Sequence, residues 1–155
     1  MASDQSADDV LEIRSGVVVK RAFQDWAAAV GDLNPLYFDA DVARSAGHRD
    51  VVMPPMFLSQ VTSRVRFLAE LRPDGIPHSN TFGLPLPERR MAAAEETEFC
   101  AALYPGDYLT ATRRLAGVEQ KHGRSGDFAL VTFEIAYHDE AGRQVARTVA
   151  SIIAR

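Results

Sequence analysis

Gly31-Asp32-Leu33-Asn34-Pro35-Leu36-Tyr37 sets one carboxylate and one phenol on a short segment whose backbone is restricted by glycine and proline. A carboxylate can take a proton from water and a phenol can give one. An unperturbed phenol titrates near pH ~10, so at neutral pH it donates a hydrogen bond but is a poor base. Asp32 follows an amphipathic stretch that reads as a helix. There the negative end of the helix dipole disfavours the charged carboxylate and suits it to general-base work. A second reading is open at the same residue: Asp32 can simply hydrogen-bond the turn at Leu33 and Asn34.

The remaining reactive side chains point to little else. Cys100 is the single cysteine, which excludes an internal disulfide and any multi-thiolate metal centre in one chain. It reads as a small buried hydrophobe. His48, His78, His122 and His138 have no helical metal-ligand spacing and are expected at the surface or in loops. Glycines are scattered singly, with no phosphate-cradling motif. No metal and no cofactor is expected. Arg64, Arg66 and Arg72 read as a solvated flank rather than a phosphate site.

The elements that hold this loop can be read around it. The 155 residues, 46% of them apolar, suffice for one core and one domain. A net charge of −4 leaves no basic excess for a phosphate backbone, so nucleic acid is not an expected partner. No run of ~18 apolar residues and no basic leader occurs, so the expectation is a soluble, cytoplasmic protein with no membrane span. Residues 1–13 are acidic and read as a loose tail, with the domain over 14–155. Residues 16–20, GVVVK, read as a strand. Phe23, Trp26, Ala27 and Val30 form a helical stripe closed by Gly31, with no capping residue at its start. Asp39 caps a second short helix that ends at Gly47.

Pro54 and Pro55 precede the longest helical pattern, residues 56–72, in which Phe57 or Leu58, Val61, Val65, Leu68 and Leu71 recur at steps of three and four. Residues 72–91 read as an ordered loop that buries Phe82, Leu84 and Leu86. From Ala92 the period becomes two. Thr97, Phe99, Ala101 and Leu103 alternate with polar neighbours, as do Val131, Phe133, Ile135 and Tyr137. Turns at 105–107, 121–126 and 139–142 divide this half into about four antiparallel strands. Helices first and strands second give an α+β domain in which the long helix covers one face of the sheet.

The stretches FQDWAAAVGDLNPLYFD, ARSAGHRDVVMPPMF, YPGDYLTATRRL and GRSGDFALVTFEIAYHDEAGRQVARTVASIIAR together resemble MaoC-type (R)-specific enoyl-CoA hydratases and 3-hydroxyacyl dehydratases over residues 14–154. The resemblance implies a single hotdog fold, a long central helix wrapped by an antiparallel sheet, binding acyl thioesters at a dimer interface. Active members read GDxNPxH, with the Asp and His acting on one water, and a His-Gly pair at the start of the long helix, where the glycine N–H polarises the thioester carbonyl. This sequence has Tyr37 in place of the histidine and Pro54-Pro55 in place of the pair, and proline has no N–H to give. Both departures resemble the non-catalytic half of double-hotdog and heterodimeric dehydratases.

The resemblance therefore implies an acyl-binding subunit of an enoyl-thioester hydratase or dehydratase, holding an acyl-CoA or acyl-carrier-protein thioester and paired with a second MaoC-like hotdog chain that carries the intact Asp and His. Asn34, Pro35, Met56, Phe57, Val61, Phe82 and Leu84 are the candidate substrate-binding residues, and Asp32 with Tyr37 the degenerate catalytic pair. Two alternatives stay open. One is a self-sufficient homodimer with Asp32 as base and Tyr37 or His48 as proton donor. The other is an acyl-CoA-binding module without chemistry.

Overall fold

The computed structural model describes residues 10–75, 77, 86–87, 89–124 and 126–155. Its frame is a five-stranded antiparallel sheet built from β1 (Val10–Val17), β2 (Arg90–Phe99), β3 (Tyr108–Gly123), β4 (Gly126–Asp139) and β5 (Gln144–Ala154), in the order β1-β3-β4-β5-β2. Short helices gather against one face: α1 (Lys20–Val30), α2 (Ala40–Ser45) and α3 (Leu58–Val61), with 3-10 turns at Pro35–Tyr37, Pro55–Phe57 and Leu68–Glu70. This is the expected α+β arrangement of a sheet wrapping helices.

Strand β4, central in the sheet, shows why these residues form a ladder. Ala129, Val131, Phe133, Ile135 and Tyr137 are all buried, alternating with half-buried Leu130, Thr132, Glu134 and Ala136. Across the outer positions Arg147 donates to both oxygens of Glu134 at 3.0 and 2.8 Å, and Thr132 bonds Ser151 at 3.0 Å, which fixes the β4–β5 register.

Helix α1 is seated by aromatic contacts. Phe23 is fully buried, and Phe57 meets Phe23 and Trp26 edge-on, with centroids 6.4 and 5.8 Å apart. Val19, just before the helix, gives no side-chain cap, as the sequence implied, and Gly31, just after it, has a left-handed φ of 77°. The Gly31 N–H bonds Ala28 O at 3.2 Å and the Asp32 N–H bonds Ala27 O at 2.9 Å, the paired closure of a Schellman motif. Asp39 caps α2 by accepting from Asp41 N–H at 2.8 Å and Val42 N–H at 3.1 Å. Asp39→Ala is expected to cost about 1 kcal/mol, measurable by urea unfolding.

Three expectations are corrected here. The long helix over 56–72 is interrupted: α3 stops at Val61, Ser63–Phe67 is irregular, and a 3-10 turn follows. Val65, Phe67 and Leu68 are 79, 70 and 88% exposed, so among the described residues no layer covers the stripe at Val65 and Leu68. A helix of that length draws its stability from packing rather than propensity. Local contacts take over instead, with Glu70 pairing Arg64 at 3.0 Å and accepting from Phe67 N–H at 3.1 Å. Second, β1 covers Val10–Val17, so residues 10–13 pair with β3 rather than trail as a tail, and Lys20 opens α1 instead of closing a strand. Third, Ala101 and Leu103 lie beyond the end of β2, where Cys100 and Ala101 N–H groups both reach Val145 O. Phe82 and Leu84 lie outside the described residues.

Candidate functional site

Backbone hydrogen bonds tie the GDLNPLYFD loop to its surroundings. Asn34 Oδ1 accepts from Leu36 N–H at 3.0 Å, Pro35 leads a 3-10 turn, and Gln24 Nε2 of α1 donates to Tyr37 O at 2.9 Å. Val52 N–H then bonds Leu36 O at 2.9 Å, and Met53 N–H bonds Leu103 O at 2.8 Å. The loop, the Pro54-Pro55 step and residues 100–103 are thereby locked side by side.

Within that frame the two candidate catalytic groups have different environments. Asp32 is exposed, and its Oδ1 accepts from Asn34 N–H at a long 3.4 Å, an Asx-type turn contact. Tyr37 is 8% exposed and belongs to the main core with Phe23, Phe57 and Val61. Burial and the nearby Asp32 charge push its phenol above the usual range, against a smaller opposing effect from the Asn34 side chain. Tyr37 is thus held as a neutral phenol. His48, the alternative donor, instead bonds Tyr104 OH through Nδ1 at 3.1 Å, beside Arg49, whose guanidinium lies over the Tyr104 ring at 4.4 Å and pairs with Asp107.

Of the expected substrate-binding residues, Phe57 and Val61 are buried core side chains and Met56 is 63% exposed at the surface. Pro54 is fully buried and its carbonyl accepts from Phe57 N–H at 3.0 Å. Beside Pro55 runs an apolar cleft of about 320 Å³ lined by Val52, Met53, Phe99, Leu103, Val145 and Ala146 among others. Cys100, expected to be buried, is exposed on its rim. The sequence pattern did not single out these residues as a lining, because they come from three separated segments that only the sheet brings together. Among the described residues no cluster of metal-ligating side chains occurs, and no helix is long and apolar enough to cross a membrane.

The buried phenols have a consequence for stability. Tyr137, like Tyr37, is raised chiefly by burial. A group whose folded value lies above its unfolded value contributes stability that is fully present below the unfolded value and is lost as pH rises through the folded one. Folding free energy is therefore expected to fall above pH about 10, and Tyr37→Phe to make that fall shallower in urea titrations at stepped alkaline pH.

Comparison with known proteins places this geometry. The family described as FAS1-like, dehydratase domain region, matches residues 10–148. A UPF0336 protein of Clavibacter michiganensis is 32% identical over 142 residues, covering 90% of this chain and 85% of that protein. A "Probable enoyl-CoA hydratase alpha subunit" of Thermomonospora curvata is 28% identical over 78% of this chain and 40% of its own length. Among solved structures, the ChsH1-ChsH2 complex from Mycobacterium tuberculosis superposes with a TM-score of 0.72 and 24% identity, covering 92% of this chain and 86% of that one. On the match over residues 10–148, the chain belongs to the family described as FAS1-like, dehydratase domain region, and the superposition shows that it shares the fold of that solved structure.

Proposed function

We propose that this chain is the non-catalytic, acyl-binding half of a two-chain hydro-lyase that adds water to 2-enoyl thioesters or removes it from 3-hydroxyacyl thioesters. The observation that carries this reading is the buried, neutral Tyr37 on a loop whose backbone course is otherwise fully braced. Hydration needs a base that takes a proton from water as it attacks the β-carbon, an acid for the α-carbon and donors for the thioester oxygen. A phenol held above its ordinary range does not alternate between acid and base near neutrality. At the helix start Pro55 has no N–H to offer the carbonyl.

What remains intact is a binding surface. The cleft beside Pro55 falls within the range of roughly 300–1,000 Å³ usual for small-molecule sites and is mostly apolar. Asn34 and Pro35 shape the loop, Met56 is exposed in the turn that Pro55 opens, and Phe57 and Val61 hold α3 to the core. Asp32 serves the turn. The similarity to one chain of a two-protein complex and to a hydratase alpha subunit supports pairing with a related hotdog chain that carries the Asp and His. The exposed Val65, Phe67 and Leu68 are apolar surface that such a companion would cover.

Co-purification with hotdog chains encoded beside it, followed by a crotonyl-CoA hydration assay of each chain alone and of the pair, tests the proposal. Activity in the pair and not in this chain alone supports it. Efficient turnover by the lone chain that is abolished in Asp32→Asn establishes the self-sufficient enzyme instead.

A further inference from the structure

Strand β1 faces the wrong way for its composition. Glu12, Arg14 and Gly16 are half-buried, whereas Ile13 and Val17 are 63 and 47% exposed. A one-residue slip would reverse this and bury the apolar set, yet the register holds Ile13 opposite Thr112 and Arg14 opposite Ala111. The charged side chains line a cavity of about 130 Å³ between α3 and the sheet. Ser59 of α3 and Thr62 just past its end lie on one side, Arg113 and Tyr137 of the sheet on the other, and Glu95 and Thr148 also contribute. Such a volume exceeds several-fold what a single water needs.

The polar groups around it are only partly matched to one another. Arg14 reaches Glu12 at 2.5 Å, and Arg113 lies 4.0 Å from the same carboxylate. Thr148 bonds Thr97 at 2.8 Å. Arg14 Nε is buried and has no hydrogen-bond partner among the described residues, an N–H donor that desolvation makes costly to leave unused. Burial lowers Arg113 below the usual arginine range and raises Tyr137, as expected where water is largely excluded. Two arginines stand against two glutamates, so the formal charge is balanced. An anionic group would meet Glu12 and Glu95, but a neutral oxygen would accept from Arg14 Nε without that repulsion.

Resting on the acyl-binding reading above, we infer that this cavity is a specificity pocket for the far end of the acyl group, and that it selects tails carrying an uncharged oxygen, a hydroxyl or a keto group, over plain hydrocarbon tails. Its floor residues Ala111, Ile135 and Tyr137 belong to the same core as Tyr37, Phe57 and Val61. Ser59 and Thr62 continue along the chain directly from the Pro55–Phe57 turn that flanks the apolar cleft. A hydrocarbon end placed there would leave the Arg14 donor unmet, and an oxygen would satisfy it.

Isothermal titration of the full chain, with any companion that co-purifies, tests this with straight-chain acyl-CoA thioesters and their ω-hydroxy and ω-keto counterparts of equal length. At the best-fitting length the oxygenated member is expected to bind at least about tenfold more tightly. In Arg14→Met, which keeps the side chain's bulk and removes its donors, the ratio is expected to fall toward one. Arg14→Lys, which keeps the charge, controls for folding, checked for both variants by thermal melts. Equal affinity for plain and oxygenated chains at every length in the unaltered protein overturns the inference and leaves acyl binding standing. Absence of binding by any thioester overturns both.

Discussion

Isolated from a companion, the chain is expected, on the function proposed above, to hydrate crotonyl-CoA at least about 10⁴-fold more slowly than the assembled pair. The figure follows from two deficits at separate places. A missing positioned acid/base costs roughly 10²- to 10⁴-fold, and here its position holds Tyr37, a buried neutral phenol. A missing oxyanion donor costs roughly 10²- to 10³-fold, and here its position holds proline. Even the lower bounds multiply to about 10⁴, although groups that act as a unit need not combine independently. Stopped-time assays with the lone chain in large excess over substrate read rates that low. Turnover by the lone chain within tenfold of the pair would remove the basis for assigning it a purely binding role.

The second large effect is on stability. Gly16→Ala places a Cβ 1.8 Å from Val61 O and 2.8 Å from Val61 C, both backbone atoms that cannot swing aside. Gly16 is opposite Leu109 in the β1–β3 ladder, and Leu58 and Val61 anchor α3 in the core, so relief requires a strand or a helix to shift. The expected cost is about 3 kcal/mol or more, equivalent to a fall of roughly 6–12 °C in the unfolding midpoint for a chain of this size. Circular dichroism melts measure it. Gly117→Ala, where an added Cβ meets nothing within 4 Å, is the control and shifts the midpoint little.

Much of the fold is legible in the sequence because local chemistry and tertiary packing agree there. The stripe of Phe23, Trp26, Ala27 and Val30 ended by Gly31, the Asp39 cap and the alternation along Val131 to Tyr137 all specify elements whose apolar faces find a partner within the chain. Legibility fails where that partner is missing or the rule is inverted. Residues 56–72 carry a sound helical period, but among the described residues no layer covers Val65, Phe67 and Leu68, and periodicity alone cannot say whether a layer exists. At β1 the usual inference from alternation selects the wrong face, because Glu12 and Arg14 point inward. The loop residues Asp32, Asn34, Pro35 and Tyr37 were found from their types and spacing. Burial of Tyr37, and with it the upward shift of its phenol, required the packed core.

The interruption after Thr62 also partitions the polypeptide. Among the described residues every α-helix precedes it and four of the five strands follow it, with β1 alone reaching from the first group into the ladder of the second. The division holds along the chain and not in the packing: Phe23, Phe57 and Val61 from before the break share one core with Ala111, Ile135 and Tyr137 from after it. A change of volume in the helical part is therefore felt by the strands at once, so the two parts can vary only by compensating each other.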